Sequence, residues 1–103
     1  MNEVSAAVVK IYLREQEHLL KPLVKFLNED QKVAGLTVLR GIEGGTAGRG
    51  IHTTSLLALS LDLPLVVEFY DDQARARQAA EQAALKFALK HVVILPATAL
   101  VVA

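Results

Sequence analysis

The stretch GLTVLRGIEGGTAGRGIHT, Gly35 to Thr53, changes character half-way along. Its first part reads as a strand. Leu36, Val38 and Ile42 alternate with Thr37, Leu39 and Gly41, the two-residue period of a sheet with one covered face. Then the side chains thin out: Gly41, Gly44, Gly45, Gly48 and Gly50 are five of the six glycines in the chain. Such a segment cannot build a core, and holding it still costs much backbone entropy. It predicts a flexible loop over residues 41–52. What the loop still carries is polar: Arg40, Arg49 and His52, the hydroxyls of Thr46, Thr53 and Thr54, and the single acid Glu43. Backbone N–H groups freed of side chains can crowd round an anion, and two arginines add charge. The functional reading is a loop that grips a phosphate-bearing or carboxylate ligand, or a partner protein. The plain alternative is a connection between two strands.

Outward from this stretch, the hydrophobic pattern gives the other elements. Val4 to Leu13 reads as a first strand, with Val9, Ile11 and Leu13 on one face and Val8, Lys10 and Tyr12 on the other. The polar run Arg14 to Glu17 breaks it. A helix from about Lys21 to Glu29 carries Leu19, Leu20, Leu23, Phe26 and Leu27 as its stripe, and Pro22 suits its first turn. Beyond the glycine loop, residues 53–60 fit a short strand or a helical turn equally well. Pro64 to Tyr70 is a strand with Leu65, Val67 and Phe69 on one face and Val66, Glu68 and Tyr70 on the other. Asp71 and Asp72 are plausible caps for a second helix, Gln73 to about Lys90, with alanines 76, 80, 83, 84 and 88 and Phe87 as a thin stripe. Val92 to Leu95 is the last strand, with a short edge piece over Thr98 to Val102 beyond Pro96.

The order β-α-β-β-α-β suits one α+β arrangement, the ferredoxin-like fold: a four-stranded antiparallel sheet with two helices on one face. The 103 residues read as a single domain, 1–103. Two helices cover only one sheet face. The other still carries Val8, Leu39, Val66 and two or more of Val92 to Leu95, so burial of that face between copies in a closed cyclic assembly is expected.

The composition closes off several classes. The formal net charge of +0 argues against broad binding of nucleic acid or anionic membrane. The chain has no cysteine, which excludes disulfides, thiolate metal sites and cysteine nucleophiles. No secretory signal is visible from Met1 to Lys10, and no apolar segment approaches bilayer length, so a cytoplasmic protein is expected. His18, His52 and His91 stand singly on different elements, so no metal site is expected. His52 beside Thr53, Thr54 and Ser55 resembles a base beside nucleophiles, but neighbours in sequence rarely face each other and no third group is evident, so no enzyme is expected. RNA binding by a sheet of this type needs stacked aromatics and a basic surround; LVVEFYDD at 65–72 lacks the basic and glycine positions.

The segments Gly35-x-Thr37-Val38-x-Arg40-Gly41-Ile42-Glu43-Gly44, Ile51-His52-Thr53 and Leu59-Ser60-x-Asp62-Leu63-Pro64 also resemble a known family. It is the PII-like family catalogued as domain of unknown function 190, similar in turn to the PII nitrogen-regulatory signalling proteins. The resemblance implies a homotrimer, a regulatory subunit with a sensing loop and no catalysis. It implies an adenine nucleotide as effector, held in a cleft between subunits, rather than a resident cofactor. By analogy with PII, it implies a membrane transporter or channel as partner. Gly35, Thr37 and Gly44 match positions that line that cleft; Arg40, Gly41, Arg49 and His52 complete the expected ligand-binding set, with Arg40 in a preformed cleft and Arg49 on the loop. A purely structural Arg40 would instead pair with Glu68 or Glu43. Two departures bear on the ligand. The second phosphate loop of PII is replaced by Leu89, Lys90, His91 and Val92, and no basic residue follows. The closer family's Gly-Phe-Gly and His-Arg are here Gly44-Gly45-Thr46 and Arg49-Gly50. A mononucleotide, a cyclic nucleotide or a small anion is then easier to accommodate than a triphosphate. A trimeric scaffold with no small-molecule ligand is the alternative.

Overall fold

Strand β1 (Asn2–Arg14) is one of two interior strands of the sheet: Ala7, Val9, Ile11 and Leu13 are buried on one side, while Val8, Lys10 and Tyr12 point to the other. The computed structural model describes residues 1–45, the backbone of 51–53, and 63–102. After β1 come a 3-10 turn at Glu15–Glu17, helix α1 (Leu20–Lys25) running on into a π-helical turn at Phe26–Asp30, and strand β2 (Gly35–Arg40). Short strands β3 (Glu43–Gly45) and β4 (Ile51–Thr53) follow, then β5 (Pro64–Asp72), α2 (Gln73–Phe87) and β6 (Val92–Val101). The main sheet has the order β2-β5-β1-β6 with every described pairing antiparallel, the ferredoxin-like arrangement expected from the element order.

The core lies between one face of this sheet and the helices. Leu65, Val67 and Phe69 of β5 join the β1 row, and Leu23 and Leu27 come down from the α1 segment. Helix α2 contributes Ala76, Ala79, Ala80 and Ala83, spaced to share one stripe. Methyl-sized side chains let the helix lie close to the sheet. This stripe differs from the expected one: Ala79 is in it, whereas Ala84 is only half-buried and Ala88 exposed. The helix also ends at Phe87 rather than near Lys90, because Ala88 takes the left-handed conformation, φ 51°, and caps it. Of the two expected caps, Asp72 is the N-cap, accepting the Arg75 N–H at 3.0 Å.

The last strand is one piece rather than two. Strand β6 pairs with β1 from Val92 opposite Ile11 to Val101 opposite Asn2. Pro96, a break in the sequence pattern, sits opposite Ala7 and is accommodated because β6 is an edge strand. Strand β5 pairs with β1 only from Ala6 to Arg14, so Asn2–Ser5 and Thr98–Val101 project as a two-stranded ribbon.

Asp71, the other acid, serves the chain crossing from α1 to β2. Its Oδ2 accepts the Ala34 N–H at 3.1 Å and Arg75 Nε at 3.3 Å. Arg75 Nη2 donates in turn to the carbonyls of Gln31, at 3.2 Å, and Lys32, at 3.1 Å. The clamp holds a turn in which Lys32 has φ 53°, unfavourable for a lysine. Arg75→Ala is therefore expected to cost about 1 kcal/mol, an amount that allows for the half-exposed position of the guanidinium. Arg75→Lys should not restore it, since an ammonium lacks the planar fork that reaches two carbonyls and a carboxylate together. Urea unfolding of the three proteins checks this.

Candidate functional site

The strand ends at one edge of the sheet converge under the glycine-rich arm. Strand β2 stops at Arg40, opposite Leu65 in β5, and the next N–H, that of Gly41, donates to the Pro64 carbonyl at 2.7 Å. The Glu15 N–H, just past the end of β1, donates to the Leu63 carbonyl at 3.0 Å. Three chain segments are thus pinned together here. The arm then leaves as a ribbon, not as a loop throughout: Glu43, Gly44 and Gly45 pair with Thr53, His52 and Ile51. Two glycines make room for this crossing, Gly41 more strictly than Gly44. A Cβ on Gly41 would sit 2.8 Å from Pro64 Cγ, and one on Gly44 would sit 3.1 Å from it. The proline ring fills the space that these residues leave.

Arg40 shares the helix-side face of β2 with Leu36 and Val38, and 64% of its side chain is exposed. Its Nη2 lies 2.5 Å from Oε1 of Glu15, whose side chain is only 16% exposed. The expected structural partners of Arg40 are Glu68 or Glu43. The structure corrects this: Glu68 faces Lys10 across β1 and β5, Nζ to Oε1 3.8 Å, on the open side of the sheet. Oε1 of Glu15 accepts no hydrogen bond although it is fully buried. The close approach of the guanidinium is an ion contact whose N–H directions miss the oxygen, so it offsets the buried charge without satisfying it.

The sequence-derived set is spread along β2. Arg40, Gly41 and Gly44 meet at the arm base, and the backbone of His52 pairs with Gly44 above it. Thr37 lies mid-strand, opposite Glu68 on the open face. Gly35 starts the strand about 17 Å from Arg40. There a Cβ would fall 2.0 Å from Cε2 of Tyr70, so the tyrosine ring lies directly over the glycine. Arg49 lies outside the described residues. Sequence reasoning misses Glu15 and Pro64. In the sequence Glu15 is only part of the polar run that ends β1, and Pro64 only a strand start.

A shallow groove of about 380 Å³ also runs between α1 and β2, with Leu20, Val24 and Val38 as its apolar floor and Lys21 and Lys25 beside them. None of the arm-base residues lines it. Among the described residues no group of three or more His, Asp or Glu side chains could hold a metal, and no helix is long and apolar enough to cross a membrane.

Residues 6–97 match the family described as DUF190, Uncharacterized ACR. The chain belongs to the DUF190 family. A UPF0166 protein of Methanocaldococcus jannaschii is 34% identical over 73 residues, covering 66% of this chain and 66% of that protein, so the match spans about two thirds of the relative. Among solved structures, CPII bound to ADP and bicarbonate, from Thiomonas intermedia K12, superposes with a TM-score of 0.66 at 13% identity, over 95% of this chain and 89% of that one. A putative PII-like signaling protein from Thermus thermophilus gives 0.63 at 19% identity, over 99% and 94%. At these identities the likeness shows the fold, and the fold of this DUF190 chain is PII-like.

Proposed function

We propose that this DUF190 protein is a trimeric PII-like regulator. It senses a small effector, a nucleotide or small anion, at the base of its glycine-rich arm and in a cleft between subunits. It carries no catalytic centre and acts on a partner protein, a membrane transporter or channel being the class of partner the PII analogy favours. The observation that carries this reading is Arg40: a largely exposed guanidinium carried at a strand end, beside Gly41, whose N–H is bound to the Pro64 carbonyl, and close to Gly44, which leaves room for the proline ring. A rigid base and an accessible fork are what recognition of phosphate or carboxylate requires. The fold match to a protein crystallised with ADP and bicarbonate supports the choice of effectors to try.

Calorimetric titration with ADP, and separately with bicarbonate, is the test. Arg40→Ala is expected to weaken binding roughly ten- to a hundredfold, from the loss of charge-assisted bonds worth about 1.5–3 kcal/mol. A lower melting temperature with unchanged affinity would leave Arg40 a purely structural residue. The scaffold alternative draws support from the exposed apolar face of the sheet, and failure of both titrations would favour it.

A further inference from the structure

We infer that Glu15 is an internal competitor for the anion that binds at Arg40, so that it sets how tightly the site holds its ligand. The inference rests on the effector reading above. It starts from an asymmetry between the two side chains. The acid is enclosed and the base is not: the Glu15 side chain is 16% exposed and that of Arg40 is 64% exposed. The acid is also fixed at its root, because its N–H is bound to the Leu63 carbonyl and β1 ends immediately before it. With its backbone held, only the glutamate's own side-chain torsions could carry the carboxylate outward after the guanidinium.

Its buried Oε1 accepts no hydrogen bond from the described residues, and among them the Arg40 guanidinium, 2.5 Å away, is the cation that faces it. An oxyanion arriving from solvent meets an arginine whose charge is already partly neutralised. If the oxyanion takes the exposed edge of the fork, it feels the repulsion of Glu15. If it draws the fork outward, it takes away the ion contact of a mostly buried carboxylate, which is costly. Both routes lower affinity, and both do so through Glu15. Glu15 thus touches no ligand; it is a positioning residue that acts through Arg40. Effector release and the integrity of the β1–β5 junction are coupled at this one contact, since Glu15 and Leu63 belong to that junction.

The test uses ADP and bicarbonate as separate probes, titrated by calorimetry into the wild-type protein and into Glu15→Gln, Glu15→Asp, Arg40→Gln and the Glu15→Gln/Arg40→Gln double variant. Melting curves establish which variants are folded. Glu15→Gln, which keeps the shape and removes the charge, is expected to bind at least one probe about tenfold more tightly than wild type. Glu15→Asp retracts the carboxylate and should give a smaller gain, and it carries the test if the glutamine variant does not fold. In the double variant the gain should vanish, an outcome that a purely structural role for Glu15 would not produce. Wild-type binding that weakens in Arg40→Gln but is unchanged or weakened in the Glu15 variants overturns the inference and leaves the effector reading standing. Absence of binding in every protein, including Glu15→Gln, overturns both.

Discussion

Phe69→Ala is expected to remove about 3–5 kcal/mol of stability, the range for truncating a fully buried aromatic. For a domain of this size that is a large part of the total, and it corresponds to a fall in melting temperature of roughly 12–40 °C. Phe69 is the largest of the fully buried side chains in the described residues, and it is 1% exposed. It sits mid-sheet, opposite Val9 of β1 and Leu36 of β2. The helix above it supplies Ala76, Ala79, Ala80 and Ala83 to the core. These neighbours explain why the upper half of the range is expected. A cavity shrinks when longer side chains swing into it, and alanines have no rotamer to offer. Leu85→Ala, on the same helix but 81% exposed, should change stability by less than about 0.5 kcal/mol and serves as the control. Urea unfolding at matched protomer concentration measures both, because assembly would otherwise add a concentration term. A loss below about 1 kcal/mol for Phe69→Ala would show that the core can collapse round the gap.

The second large effect concerns the open face of the sheet. Val8, Tyr12, Leu39, Val66, Tyr70, Val93 and Leu95 share the side that carries no helix. Leu39 is 52% exposed and Leu95 42% exposed, at opposite edge strands, so the apolar surface extends across the full width of the sheet. Contiguous apolar surface on this scale marks an interaction site. Light scattering coupled to size exclusion is expected to give about three times the 11.1 kDa chain mass. Val66→Asp places a charge at the middle of that face, between Tyr12 and Leu39, and should yield a monomer at micromolar concentration. The Lys10–Glu68 contact on the same face does not weaken the argument, because two opposite charges buried together can offset each other whereas a lone aspartate cannot. A Val66→Asp protein of unchanged mass would move the interface elsewhere.

The sheet is legible in the sequence and the arm base is not, for reasons that lie in particular residues. Strands β1 and β5 are rich in β-branched and aromatic residues, and once they are read as strands the two-residue period puts Val9, Ile11 and Leu13, and likewise Leu65, Val67 and Phe69, on one face. Helix α2 offers no such contrast. Alanine stands on several of its faces, and only packing decides that Ala79 is inside and Ala88 outside. Pro96 reads as a break because a sequence does not reveal which strand lies at an edge. The Glu15–Arg40 contact is harder still: β1 and β2 are not neighbours, and the two residues meet only because β5 lies between those strands and aligns their ends. Gly35 shows the opposite case. The motif marks it as a cleft residue, whereas the ring of Tyr70 supplies a packing reason for a residue without a Cβ.

The strand order has a consequence for how the chain is made. Strand β1, made before the other described strands, lies in the interior of the sheet, and both of its partners, β5 and β6, come from after residue 63. Its neighbour in sequence, β2, is not its neighbour in the folded sheet. While residues 1–63 emerge, the apolar face of β1 has only α1 to shelter it, and the sheet cannot close until Val101 has been synthesised. The nascent chain therefore carries β1 without its native partners until β5 and β6 have followed it, the situation in which long-range pairing is slow and holding factors matter. Moving β1 to the carboxyl end by circular permutation would let β5 meet β2 as it appears and would leave only β6 waiting for the transposed β1.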